Sequence, residues 1–312
     1  MLFYLDNYLS KGDDPNENYA RELLELHTVG VDGRYTEEHV RDAAYVLTGW
    51  SINFQDRTFL FRANNHNPSR PLWVKGWRAE SLTGNGYADG VSLINYLARH
   101  RQTAEYLAYK LCVRFVGDNP PPLLVKGAAQ TYLDNDTEIK PVLHYIFRSP
   151  EFYASAGRKF KRPFEFVAGA ARTLNAQIDT PDRADRFAGF LLSWMRLVGG
   201  APLEWSPPNG YPDVMEAWAS TNGLLNRWNH LSYYVPNATQ GIIDAANRYV
   251  DHLALLGSPL PQTPAQIVDR LADRLVMQPL DPTDRMLLFS YIGVGENDFL
   301  DENTVKLKAP QV

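Results

Sequence analysis

Glu22 and Glu25 stand three residues apart in the segment NENYARELLELHTVGV (residues 16–31), with Arg21 four residues before Glu25. On a helix, positions three and four apart are neighbours, so the two carboxylates would lie side by side next to a guanidinium. Such a group can do acid–base work or hold a hard cation. The same residues also fit a solvated face whose Arg–Glu pair contributes only ~0.2–0.5 kcal/mol. They fit equally a polar network that holds the preceding Asn16-Glu17-Asn18 turn. At about 100° per residue, Tyr19, Ala20, Leu23, Leu24 and Leu26 share one arc, while Asn18, Arg21, Glu22 and Glu25 share the opposite one. His27 falls on the apolar arc. That placement makes it a core histidine, because zinc ligands from one helix need the three- or four-residue spacing that Glu25 and His27 lack.

His66 lies among Asn64, Asn65 and Asn67 in a polar, non-helical stretch and is the histidine freest to assist Glu22 and Glu25. His39 and Asp42, three apart, read either as a surface hydrogen bond or as the start of a divalent-ion site. Arg158-Lys159-Phe160-Lys161-Arg162 precedes a helix near Pro163, which suits a solvated linker or a phosphate or sulfate at the helix start. Trp50, Trp73, Trp77, Trp205, Trp218 and Trp228 sit in or near loop segments. They either pin loops onto a helical core or line a groove for sugars. On the groove reading, Trp50, Trp205 and Trp218 are binding residues together with Asn18, Arg21 and Arg227. No phosphate cradle, HExxH, nucleophile elbow or dinucleotide fingerprint is present, and no cofactor or metal is expected.

These residues need a scaffold, and the 312-residue chain, 45% hydrophobic, has ample apolar material for one. A net charge of -5 argues against nucleic acid, which calls for a basic face. No apolar run approaches the ~20 residues that span a bilayer, so no membrane insertion is expected. Cys112, the single cysteine, sits in an apolar helical context and reads as a buried structural thiol. Helical periodicity marks residues 17–28, 37–49, 89–100, 102–116, 122–134, 137–148, 163–176, 182–198, 213–230, 238–256, 264–276 and 282–293. The expected class is mainly α, a multi-helix globular bundle. Residues 51–86 interrupt it, with strands near 58–62 and 72–75 forming a short β-hairpin-like insertion. The expected division is 1–160 with that insertion, a continuous helical region 161–256, and C-terminal helices 257–312. Met1 opens directly into MLFYLDNYLS with no secretory signal, which suggests a further N-terminal segment outside this chain.

The first signature block is followed by YTEEHV (35–40), LTGW (47–50), KLCVRF (110–115), RSPEF (148–152), KRPFEF (161–166), PPNGYP (207–212), Trp218 and LNRWN (225–229). In this order the blocks resemble the bacterial domain-of-unknown-function 1800 family over most of residues 1–230. The resemblance implies an exported, periplasmic or extracellular protein whose partners are a sulfatase-like protein and the missing N-terminal segment. It assigns no chemistry. The expected function is a binding or assembly component; the alternative is a hydrolase or lyase using Glu22 and Glu25. Two departures stand out: His66-Asn67-Pro68-Ser69-Arg70-Pro71 replaces the family's His-Asp-x-Gly-x-Lys, and Gly210-Tyr211 replaces its Gly-Trp.

Overall fold

Asn16 starts the signature helix. Its side-chain oxygen accepts from the Tyr19 amide at 2.9 Å, and its side-chain amide donates to the Leu5 carbonyl at 2.7 Å. The cap therefore both satisfies an end of α1 (Glu17–Glu25) and ties it to the chain before it. The helix ends earlier than its periodicity suggests. Thr28 Oγ1 donates to the Leu23 carbonyl at 2.7 Å and the Gly30 amide to Leu24 at 3.0 Å, consuming the acceptors that another turn would use. His27 consequently lies past the helix end and is exposed, not in the core, because its position no longer follows the helical projection. Thr36 opens α2 (Glu37–Val46), exchanging hydrogen bonds with His39: Thr36 Oγ1 accepts from the His39 amide and His39 Nδ1 from the Thr36 amide.

In this computed structural model the described residues are 1–66, 72–79, 85–177, 180–234 and 250–309. The first of two compact units comprises residues 1–159 with 207–209. After α2 it contains α3 (Gly86–Ala98), α4 (Arg101–Phe115), α5 (Pro122–Asp134), α6 (Ile139–Phe147) and α7 (Pro150–Ala154). One core gathers Leu23, Leu24, Val40, Leu47, Val74, Leu93 and Leu97; another joins α4, α5 and α6 through Ala108, Cys112, Ala128 and Ile146. Cys112 is fully buried there, and burial pushes its thiol up to about 11, as a structural cysteine requires.

The insertion holds two hairpins instead of one. β1 (Trp50–Ile52) pairs antiparallel with β2 (Phe59–Phe61), and β3 (Trp73–Val74) with β4 (Trp77–Arg78). The strands expected to pair with each other each take a nearer partner. Gly49, at φ +77°, turns the chain out of α2, and its carbonyl accepts from the Arg62 amide at 2.8 Å. Lys75 and Gly76, both at positive φ, form the two-residue turn that closes the second pair. Trp50 fixes the first hairpin to α3: its indole N–H donates to the Gly86 carbonyl at 3.1 Å, and a Cβ on Gly90 would lie 2.3 Å from its ring. The residues after His66 that depart from the family pattern, 67–71, lie outside the described residues.

The second unit comprises residues 160–206 and 210–312. It contains α8 (Pro163–Thr173), α9 (Pro181–Val198), α10 (Thr221–Ser232), α11 (His252–Leu256), α12 (Pro264–Leu275), α13 (Pro282–Ile292) and α14 (Glu302–Lys308). Its apolar clusters run through Val167, Trp194, Met195 and Val198, and through Phe187, Tyr234, Ile267, Leu271 and Val305. The helix expected over 213–230 divides. Met215–Ala217 make a 3-10 turn, and α10 begins afresh where Ser220 accepts from the Gly223 amide. Most of the helix expected over 238–256 lies outside the described residues; its end is α11. The short helices α7 and α14 were not expected from periodicity. The chain is mainly α-helical, and among the described residues no helix is long and apolar enough to cross a membrane.

Candidate functional site

The polar face of α1 carries Asn18, Arg21, Glu22 and Glu25, and its partners come from the following loop and helix. Arg21 donates through both terminal nitrogens to Glu37, at 2.9 and 2.6 Å, across to the start of α2. That contact holds the guanidinium above its ordinary value and the Glu37 carboxyl below its own. Glu25 accepts from the Tyr35 hydroxyl at 3.2 Å. The Glu22 carboxylate has no hydrogen-bond partner among the described residues. Burial pushes its carboxyl up, and the charge of Glu25 pushes it further, against the pull of Arg21. Burial and the Glu25 charge also raise Tyr35 and Tyr106, the latter from α4 with its ring packed on Gly30. The arrangement is a half-buried Glu22 carboxyl beside Glu25, whose carboxylate accepts from the Tyr35 hydroxyl. Asn18 is exposed on the first turn. The two tyrosines were missed in the sequence, since nothing in the spacing of residues 35 and 106 links them to α1.

His66 is held elsewhere. Its Nδ1 lies 2.9 Å from the Thr48 hydroxyl and 3.2 Å from the Thr48 carbonyl, and its ring covers the Cα of Gly86. Burial lowers its pKa, opposed by the Thr48 carbonyl and the charge of Asp89. Trp50 shares this neighbourhood, stacked on Tyr87 at 6.0 Å and edge-on to Phe59 at 5.0 Å. Thus Glu22 and Glu25 come together with Arg21, and His66 comes together with Trp50, with no contact linking the two groups among the described residues. His39 is occupied in its helix cap, while the buried Asp42 accepts from the Trp73 amide at 2.9 Å. No group of three or more His, Cys, Asp or Glu among the described residues could hold a metal ion.

The basic run before α8 is largely neutralised. Lys159 pairs with Asp118 at 2.8 Å, and Arg162 donates to Glu165 at 2.7 Å with Asp213 at 3.7 Å. Lys161 instead reaches the mouth of a cavity of about 340 Å3 in the second unit, lined by Phe166, Leu231, Tyr234, His252 and Leu271. Its walls are mainly apolar with a few polar groups, the usual make-up of a small-molecule pocket. Trp205, Tyr211 and Trp218 form a ladder, with ring centres 4.9 and 5.8 Å apart, and the Trp218 indole donates to the Pro212 carbonyl. Trp205 and Trp218 are therefore brought together, at a distance in the chain from Trp50.

Arg227 points inward from α10. It is buried, with its guanidinium 4.3 Å from the Phe160 ring centre and 4.8 Å from that of Phe166, and burial lowers its pKa. One turn on, His230 is fully buried among Phe166, Phe190, Trp194 and Tyr234, and burial pushes it down to about 4. The three-residue spacing of Arg227 and His230 puts both on one face of α10.

No curated protein and no solved structure matches the chain. A family model does, over residues 1–307, far more than half its length and including both units. The chain belongs to the family described as "Protein of unknown function (DUF1800)".

Proposed function

We propose that this chain is an exported binding or assembly component that docks a sulfatase-like protein through the outer face of α10. The observation that carries the reading is the apolar exposure of that helix. Leu224, Leu225 and Trp228 are exposed on it at helical spacing, with Trp228 77% exposed. Contiguous apolar surface of this kind marks interaction sites, and tryptophan is among the residues most enriched in binding hot spots. The identity of the partner and the compartment rest on the family resemblance alone. The test is co-purification of the full chain with a sulfatase-like protein, using Leu225→Asp and Trp228→Glu variants. Both substitutions fall on exposed side chains, so folding should survive. Loss of the partner from both variants supports the reading; retention in both, or a solitary wild-type chain, overturns it.

A second reading, a hydrolase or lyase, is favoured by one observation: Glu22 carries a raised carboxyl beside Glu25, which is hydrogen-bonded to Tyr35. Raised carboxyls suit general acids. It requires that Glu22→Gln and Glu25→Gln abolish a turnover measured with the intact protein while leaving its melting temperature nearly unchanged. A large fall in melting temperature would place both residues in the scaffold instead.

A further inference from the structure

Buried charges are paired in folded proteins, because an unpaired one loses its hydration without compensation. Arg227 breaks that pattern. Among the described residues it is the one arginine in the buried class, 7% exposed, and neither Nε nor Nη2 has a hydrogen-bond partner there. These two N–H groups lie on the same edge of the guanidinium and point the same way. Together they form the fork that receives two oxygens of a carboxylate or phosphate.

Elsewhere in the same chain these two nitrogens are satisfied together, each pair on a single carboxylate oxygen. Arg99 sets Nε and Nη2 on Asp136 at 3.0 and 2.7 Å, Arg162 on Glu165 at 3.1 and 2.7 Å, and Arg196 on Glu204 at 2.8 and 2.5 Å. Those forks sit at or near solvent, where an acceptor is optional. At Arg227, where desolvation makes an acceptor most necessary, the described residues supply none. Phe160 and Phe166 approach the guanidinium as rings, which attract its charge but accept no hydrogen bond from its edge. Arg227 keeps 7% of its surface in solvent.

His230, one turn further along α10 and wholly buried, adds a second unsatisfied group. Neither ring nitrogen makes a hydrogen bond of ordinary geometry among the described residues, although the Val167 backbone acts on the ring against the effect of burial. An arginine fork and an imidazole N–H are the donors that recognise an oxyanion. Asp and Glu side chains, which would compete for them, are missing from their contacts among the described residues.

We infer that Arg227 anchors a site for a small-molecule oxyanion, its Nε and Nη2 taking two oxygens of a carboxylate, sulfate or phosphate group. This site is distinct from the docking face proposed for α10, since Arg227 is buried while Leu225 and Trp228 are exposed.

The experiment uses the full chain labelled with 15N in arginine side chains, in a buffer whose only anion is chloride. Benzoate, sulfate and phosphate are titrated separately at constant ionic strength, and the Arg227 Nε–H resonance is assigned by its loss in Arg227→Met. At least one of the three should shift that resonance saturably and raise the melting temperature; which one does so identifies the anion class. Arg227→Lys, which keeps the charge but loses the fork, should bind roughly tenfold more weakly or worse. Arg227→Met should melt above the wild type in chloride and lose that advantage once the oxyanion saturates the wild type. If none of the three moves the resonance, or if Arg227→Lys binds as tightly as the wild type, the inference fails. A structural arginine held by its two rings would give a further contrary result: Arg227→Met melting below the wild type in chloride with no oxyanion response. Should Arg227→Met not fold, the Arg227→Lys comparison and the wild-type titration still decide the outcome.

Discussion

Arg21 reaches across to Glu37 at the start of the next helix and leaves Glu25, one turn along its own helix, to Tyr35. The ion pair thus staples α1 to α2, while the carboxylate expected to neutralise Arg21 stays available. Because both partners are largely in solvent, the staple should be weak and sensitive to salt. Glu37→Gln should lower stability only slightly in dilute buffer, and the difference from wild type should vanish in concentrated salt. Urea denaturation at the two salt concentrations checks this; an undiminished difference at high salt would mean that Glu37 acts through packing.

Glu22 has a raised carboxyl, which means that its ionised form is the disfavoured one in the folded chain. The sign follows: this group weakens folding above its folded pKa and ceases to do so as the pH falls below its unfolded value. Glu22→Gln should therefore stabilise the chain at neutral pH, by on the order of a few tenths of a kcal/mol after solvent screening, and confer nothing once both states are protonated in acid. Glu25→Gln should bring the Glu22 titration down, since it removes the like charge. Carboxyl 13C shifts followed through the titration would show it; an upward movement would contradict the account.

The α1 face illustrates what the sequence could and could not disclose. Periodicity placed Tyr19, Ala20, Leu23 and Leu24 inside correctly, because each depends only on the helix repeat. It misplaced His27, because the helix stops where Thr28 and Gly30 capture carbonyls, a local competition that periodicity does not register. Strands form where expected, near 58–62 and 72–75, but their pairing differs for a related reason. Strands of two or three residues carry too little alternation to reveal a partner, and the turns, with Arg57 at positive φ in the first and Lys75-Gly76 in the second, set the pairing. Arg227 stood among the candidate binding residues, yet its surroundings come from Phe160 and Phe166, far back in the chain, which only the packed fold brings near.

Gly90 has no room for a side chain. A Cβ there would meet the Trp50 indole at 2.3 Å, with the ring already fixed by its bond to the Gly86 carbonyl. Gly90→Ala should cost about 1–3 kcal/mol, in the range of overpacked cores. Adding Trp50→Leu should recover part of that loss, because the smaller side chain can yield. Denaturant melts of the single and double variants measure the coupling; strict additivity would rule out the contact as the cause.

His230 makes a stability term that depends on pH. Its folded value of about 4 lies below the ordinary histidine value of about 6.5. As the pH drops through about 6.5 the unfolded chain takes a proton that the folded chain refuses, so stability declines until about pH 4. The loss is about 3 kcal/mol over that window. His230→Gln should flatten this part of the profile, and the wild-type minus variant difference isolates it from His66 and His252, which shift in the same direction. Melting curves at close intervals across that window are sufficient; parallel profiles would show that His230 is protonated in the folded chain.

The first hairpin has a bearing on how the chain opens. Two-stranded ribbons are marginal by themselves, and Phe59 and Leu60 give this one little cover. Its stability is borrowed from α3 at its open end, where Trp50, paired with Phe61, grips Gly86 and Gly90, and His66, just past Phe61, lies over Gly86. Peeling the ribbon away would therefore uncover the first turn of α3, and fraying of that turn would release the ribbon. The Arg62 amide, bonded across to Gly49, should exchange with solvent deuterium at the same rate as the early α3 amides, the two segments opening as one cooperative unit.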